Sequence, residues 1–101
     1  MKKLSSIVIG GIRFKIKYVK DLKEPDSHLH GDTDVQAKLI RINSSDSPAE
    51  QAQTLFHEVM HVALHVTGHS ENMTEQFEES IVLALDNMLW PILPQLIGND
   101  T

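Results

Sequence analysis

The 101-residue chain contains no cysteine, one tryptophan, one tyrosine and four prolines. Without cysteine there is no disulfide framework, no cysteine-based zinc finger, no iron–sulfur cluster and no thiol nucleophile. No apolar run approaches the roughly 18 residues that mark a membrane span, and no short apolar core of a signal peptide is present. A soluble, cytoplasmic protein without a membrane role is the expectation. The length suits one domain, residues 1–101, and a domain of this size buries roughly 65% of the surface its unfolded chain exposes. A small single core is possible; a two-lobed enzyme is not.

Basic residues are scarce outside the first quarter of the chain. Residues 1–23 carry seven Lys/Arg against one acid, and the remainder carries two against thirteen. An acidic C-terminal three-quarters offers little to phosphates, so a nucleic-acid partner is not expected. The basic stretch reads as the wet outer face of an edge strand, where lysines discourage edge-to-edge pairing.

What is present falls into two parts. In the first, residues 1–42, β signals dominate. Ile12, Phe14, Ile16 and Tyr18 alternate with Arg13, Lys15 and Lys17, the period of a half-buried strand. Ile7-Val8-Ile9 precedes it, and Gly10-Gly11 between the two suits a tight hairpin turn. Residues 21–34 read as a polar loop, and Val35 to Ile42 as a third strand. In the second part, residues 47–90, helix signals take over. Ser47-Pro48-Ala49-Glu50 combines an N-cap serine, a proline at the first helical position and a glutamate at the third. The helix it opens is expected to reach Thr67, with Gly68 as its stop and a largely buried middle between Leu55 and Val66. A second helix opens near Thr74 and ends before Pro91, and residues 91–101 read as an irregular tail. The expected architecture is α+β: a hairpin and third strand forming a small sheet packed on two helices, with the last strand free to take up an extended peptide.

Six histidines are the compositional excess, and four lie between His57 and His69. His57-Glu58-Val59-Met60-His61 is an HExxH motif inside the better of the two predicted helices. Residues four apart on a helix stand roughly 5–6 Å apart at Cβ on one face, so two imidazoles can share one Zn²⁺ at about 2.0–2.1 Å each. Glu58, about 100° around the helix, can reach the open side of the ion. There it can take a proton from a water whose pKa the metal lowers to about 7.

A third ligand is needed. A metzincin would continue with glycine and histidine where Leu64 and Thr67 stand, so that class is excluded. The second helix offers Glu75, Glu78 and Glu79. Helical arithmetic leans to Glu78, whose face holds Ile81, Val82, Leu85 and Leu89. Glu79 shares its face with Val82, Leu83 and Asp86, and from there Asp86 can orient a ligand histidine.

Residues 54–61 (Thr-Leu-Phe-His-Glu-Val-Met-His), followed by residues 78–85 (Glu-Glu-Ser-Ile-Val-Leu-Ala-Leu), resemble the small phage-type zinc metallopeptidases. These are distant relatives of the ImmA/IrrE family of gluzincin-like peptidases. Gly31-Asp32-Thr33-Asp34 and Leu39-Ile40-Arg41-Ile42 are similar to the strand that precedes the active-site helix in such proteins, and the likeness spans residues 31–90. In that family a small residue follows the third ligand, with Phe-Ala-like positions four and five further on. Glu79-Ser80 with Leu83-Ala84 fits, so the resemblance selects Glu79 and leaves Glu78 as the alternative. It implies a zincin-like fold, one Zn²⁺ per chain, cytosolic peptidase chemistry with Glu58 as general base, and a protein substrate, often a repressor-like regulator.

The remaining histidines read more plainly. His65 continues the i, i+4 series and is either a partly buried structural residue or a stabiliser of the transition state. His69 is expected in solvent, and His28 and His30 in a solvated loop able to fold over the cleft. Residues 61–68 resemble the HxxLHLxG stretch of a zinc-binding endoribonuclease family. The third histidine of that signature falls on Glu71, which disfavours the reading. A zinc module without catalytic activity is the other class to weigh against a peptidase.

Overall fold

A computed structural model describes residues 3–98. The end of the tail, residues 99–101, lies outside the described residues. Chain order is β1 (Ser6–Ile9), β2 (Ile12–Val19), β3 (Gly31–Asp34), β4 (Leu39–Asn43), α1 (Pro48–Val66), α2 (Glu75–Leu89) and a short α3 (Leu93–Leu96). Four strands form one mixed sheet in the order β1-β2-β4-β3, packed on the helices. The architecture is α+β, with four strands rather than the expected three.

The hairpin follows from its turn. Gly10 and Gly11 hold φ of +58° and +81°, the sign a two-residue turn needs at both positions, and Ile9 pairs with Ile12 across it. A Cβ on Gly10 would stand 2.7 Å from a Val66 methyl carbon, so the turn also sits against the end of α1. β4 returns to pair in parallel with β2, Ile16 opposite Ile40 and Tyr18 opposite Ile42. That pairing corrects two expectations. β2 lies inside the sheet, so its lysines coat a solvent face rather than guard an edge. β4, the last strand, is interior as well; the free edges are β1 and β3.

β3 stands where the local pattern predicts a loop and the family resemblance a strand, and Val35–Lys38, expected as strand, forms the turn into β4. Gly-Asp-Thr-Asp has little intrinsic β preference. Pairing with β4 imposes the strand: Thr33 sits opposite Ile40, and Asp32 opposite Arg41, with which it forms a cross-strand ion pair. The turn is closed by a hydrogen bond from the Ala37 N–H to Asp34, and by Lys38 at φ +56°. Asn43, fully buried at the end of β4, donates to the carbonyl of Leu29 at 2.8 Å and accepts from the Ser45 N–H. The loop before β3 is thereby fastened to the sheet.

α1 begins as its sequence dictates. The Ser47 hydroxyl accepts from the Glu50 N–H, and the Glu50 carboxylate accepts from the Ser47 N–H. Thr74 caps α2 by accepting from the Phe77 N–H at 3.0 Å. Phe14, Ile16, Ile40, Ile42 and Val62 form the buried core between sheet and α1. The middle of α1 is less buried than expected. Between Leu55 and Val66 only Glu58 and Val62 are buried, and the other side chains keep part of their surface exposed. The tail is ordered further than expected, Trp90–Ile92 forming a 3₁₀ turn that leads into α3. No helix among the described residues is long and apolar enough to cross a membrane.

Ile40 lies in an interior strand and is fully buried. Ile40→Ala is expected to destabilise the protein by about 2–5 kcal/mol, read from urea unfolding at fixed pH.

Candidate metal centre and cleft

His57 and His61 stand one turn apart on α1, their ring centroids 5.0 Å apart. α2 runs back along this face and presents one buried stripe, Glu78, Val82 and Asp86. Asp86 Oδ2 lies 3.3 Å from His57 Nδ1, and Glu78 Oε2 lies 2.6 Å from His61 Nδ1. Both imidazoles therefore have one nitrogen engaged by a carboxylate, and both Nε2 atoms point away from α2's buried stripe. Glu79, one residue around the helix from Glu78, meets them there. Its two carboxylate oxygens lie 3.0 Å from His57 Nε2 and 3.0 Å from His61 Nε2.

These atoms are arranged as metal ligands are. One nitrogen from each histidine and one oxygen from Glu79 lie within 4.8 Å of one another. A tetrahedral ion with bonds of about 2.0–2.1 Å sets its ligands about 3.3 Å apart, close to the 3.0 Å between Glu79 and each imidazole. Carboxylates on the far nitrogens fix the tautomer and orientation of metal-binding histidines. The residues thus fit a zinc-type ion on the chemistry of the donors and on their backing groups together.

The carboxylates behind the histidines are themselves held. Gln53 Nε2 donates to Asp86 Oδ1 at 3.1 Å, and the Ser70 hydroxyl donates to Glu78. Burial pushes the Glu78 carboxyl up, but hydrogen bonds from Ser70 and His61 outweigh it and hold the group below the ordinary carboxylate range. Glu78 is therefore placed to back His61, whereas Glu79, about half exposed, faces both Nε2 atoms. Helical arithmetic placed Glu78 on a face with Ile81, Val82, Leu85 and Leu89. In the fold Leu85 is exposed, and the buried stripe is 78, 82 and 86.

Glu58 is buried on the sheet side of α1 and accepts a 2.8 Å hydrogen bond from the Thr33 hydroxyl on β3. It lines a cleft of about 520 Å³ with His57, Glu79 and Asp86 on the helices and His28, His30 and Gly31 on the facing loop and strand. Gly31 allows the close approach: a Cβ there would lie 2.7 Å from both the Arg41 carbonyl and the Thr54 methyl. His65 does not line this cleft. It borders a neighbouring hollow with His61, Ser70, Glu78 and Glu79, is exposed, and lies 3.9 Å from Glu78. His69, exposed as expected, bonds to Thr67. His28 and His30 line the cleft from an exposed loop, as that loop was expected to be able to, but their convergence on Asp46 was not foreseen. His28 Nε2 and His30 Nδ1 lie 3.0 and 2.8 Å from the two oxygens of Asp46. Their alternate spacing around Leu29 was the only local sign, and Asp46 lies sixteen residues beyond His30.

Fold and site together define a peptidase-like module with candidate metal-binding clusters. Residues 13–87 match the IrrE N-terminal-like domain of the M78 peptidases, and the chain belongs to that family. No curated protein sequence and no solved structure gives a significant match.

Burial pushes the Glu58 carboxyl above the ordinary range, against the opposing hydrogen bond from Thr33 and the fields of His57 and His61. A carboxyl raised by folding binds its proton more tightly in the native state. Its stabilising effect is present in acid and is lost as pH rises from the ordinary value of about 4.3 through the raised one. With metal removed by a chelator, Glu58→Gln is expected to be more stable than the parent at neutral pH, the two converging in acid. Urea unfolding across that pH range checks this; a variant less stable at neutral pH would contradict it.

Proposed function

We propose that the chain is a zinc-dependent metallopeptidase, a single zincin-like module that hydrolyses peptide bonds of a protein substrate in the cytoplasm. The observation that carries the reading is the arrangement around the two α1 histidines. Each Nδ1 is taken by a carboxylate of α2, and both Nε2 atoms face the carboxylate of Glu79. His57, His61 and Glu79 would hold one Zn²⁺ per chain. When bound, the ion supplies Lewis acidity to the attacking water and to the scissile carbonyl.

The other steps belong to side chains of this chain. Glu58 takes the proton of the attacking water and delivers it to the leaving amine. Burial raises its carboxyl pKa toward the range in which one group can both take and return a proton. Asp86 and Glu78 keep the imidazoles turned toward the ion. β3 is a free sheet edge with Gly31 on the cleft, and an extended substrate can add along it. The likeness to the ImmA/IrrE peptidases favours a repressor-like regulator as that substrate.

Metal content after desalting tests the ligand set. Wild type is expected to retain zinc, and His57→Ala, His61→Ala and Glu79→Ala to lose it from this site. Glu78→Ala should bind it about 10–100-fold more weakly, as loss of a group behind a ligand does. Unchanged zinc affinity at this site in all the ligand variants overturns the reading. Glu58→Gln should keep the metal while cleavage of a disordered protein substrate falls by about 10²–10⁴-fold. Cleavage at the wild-type rate would remove Glu58 as the base. A wild-type chain that binds zinc at His57 and His61 but cleaves nothing would favour a non-catalytic zinc module.

A further inference from the structure

His28, His30 and Asp46 form a second convergence of metal-binding side chains, and the proposed hydrolysis uses none of them. One ligand atom from each lies within 4.8 Å of the other two. The three come from two separate stretches of chain. His28 and His30 sit at the end of the loop before β3, and Asp46 immediately precedes the N-cap of α1.

Asp46 is the fixed member. Its side chain is 8% exposed, its N–H donates to the Asn43 carbonyl, and its own carbonyl accepts from Gln51 Nε2 at 2.7 Å. Both of its carboxylate oxygens point outward, one to each imidazole. The histidines are the adjustable members, with side chains 51% and 62% exposed and rings 5.0 Å apart in an edge-on arrangement. Hydrogen bonds from the two imidazoles hold the Asp46 carboxyl below the ordinary range, that from His30 most of all, against the cost of its burial. In the metal-free state His28 Nε2–H and His30 Nδ1–H donate to Asp46. A neutral imidazole that moves its proton to the other ring nitrogen frees that same nitrogen as a ligand.

We propose that His28, His30 and Asp46 form a second metal site, selective for borderline divalent transition ions such as Zn²⁺ or Co²⁺, on the wall of the cleft facing α2. Two imidazoles and one carboxylate are a donor set for such ions and not for Ca²⁺ or Mg²⁺, which take oxygen. Three protein ligands with solvent access leave a coordination position open. An ion here ties the loop before β3 to the head of α1, so its occupancy braces the wall formed by His28, His30 and Gly31. The site is independent of the proposed peptidase function, because it shares no ligand with His57, His61 and Glu79.

The test uses the full chain, stripped with a chelator, titrated with Zn²⁺ and then with Co²⁺. Stoichiometry is read by calorimetry and elemental analysis, and the cobalt absorption bands report the ligand field. Wild type is expected to bind two ions. The pair His28→Ala/His30→Ala should bind one and lose one set of cobalt bands, and Asp46→Asn should do the same. His57→Ala/His61→Ala should also bind one, at the loop site. His69→Ala, which alters an exposed histidine outside both clusters, should still bind two. Far-UV circular dichroism of the metal-free variants checks their fold, and His28→Gln/His30→Gln stands in if the alanine pair fails to fold. Retention of two ions by the folded loop variants, or loss of an ion in His69→Ala instead, overturns the proposal. A wild-type chain with one ion, lost only in the His57/His61 pair, overturns it as well. One ion lost only in the His28/His30 pair supports the loop site and removes the helix site.

Discussion

The packing of α2 against α1 through a buried stripe with carboxylates at both ends is the constraint on which the site depends. Glu78, Val82 and Asp86 recur every four residues, and the stripe meets α1 where His57 and His61 recur at the same interval. Val82 supplies apolar burial at the centre. The two carboxylates can be buried because each has an imidazole and a neutral donor as partners, Ser70 for Glu78 and Gln53 for Asp86. Unpaired, two buried carboxylates would oppose the helix contact; paired, they set the rotation of both rings. Everything on the exposed side of the histidines, Glu79 included, takes its position from that registry.

The other wall of the cleft depends on the sheet. β3 has little preference of its own, yet it carries Thr33 to Glu58 and Gly31 to the cleft. It is held by its ladder with β4, by the pairing of Asp32 with Arg41, and by the absence of a side chain at Gly31. Glu58 thus sits between an apolar core that raises its proton affinity and a hydroxyl that orients it. A buried carboxyl on an otherwise well-satisfied helix is a cost to folding. Its carboxyl lines the cleft, the kind of place where perturbed carboxyls mark candidate functional sites.

Signals confined to one stretch of chain were legible. The capping box of α1, the Gly-Gly turn, the alternation of β2 and the HExxH spacing each depend on residues within a few positions of one another, and the elements form where those signals stand. Signals that depended on a distant partner were not. Residues 31–34 carry little strand preference and form a strand through pairing with β4, while Val35–Lys38 forms the turn. Glu78 and Glu79 are adjacent and chemically alike. Periodicity leaned to the first and family resemblance to the second, while their different roles toward His61 follow from the rotation of α2 on α1.

By itself the sequence determined that two histidines and a glutamate share one helix at the spacing of a metal centre, because the pitch of a helix needs no tertiary contact to be realised. It also determined that any ion would be held by imidazole and carboxylate, since there is no cysteine. Only the tertiary structure decided which carboxylates stand behind the rings and which one faces them. It likewise decided that a hydroxyl from an edge strand reaches Glu58, and that His28, His30 and Asp46 converge. Those arrangements join residues 16 to 29 positions apart, and only the packing of helices and sheet brings such residues within bonding distance.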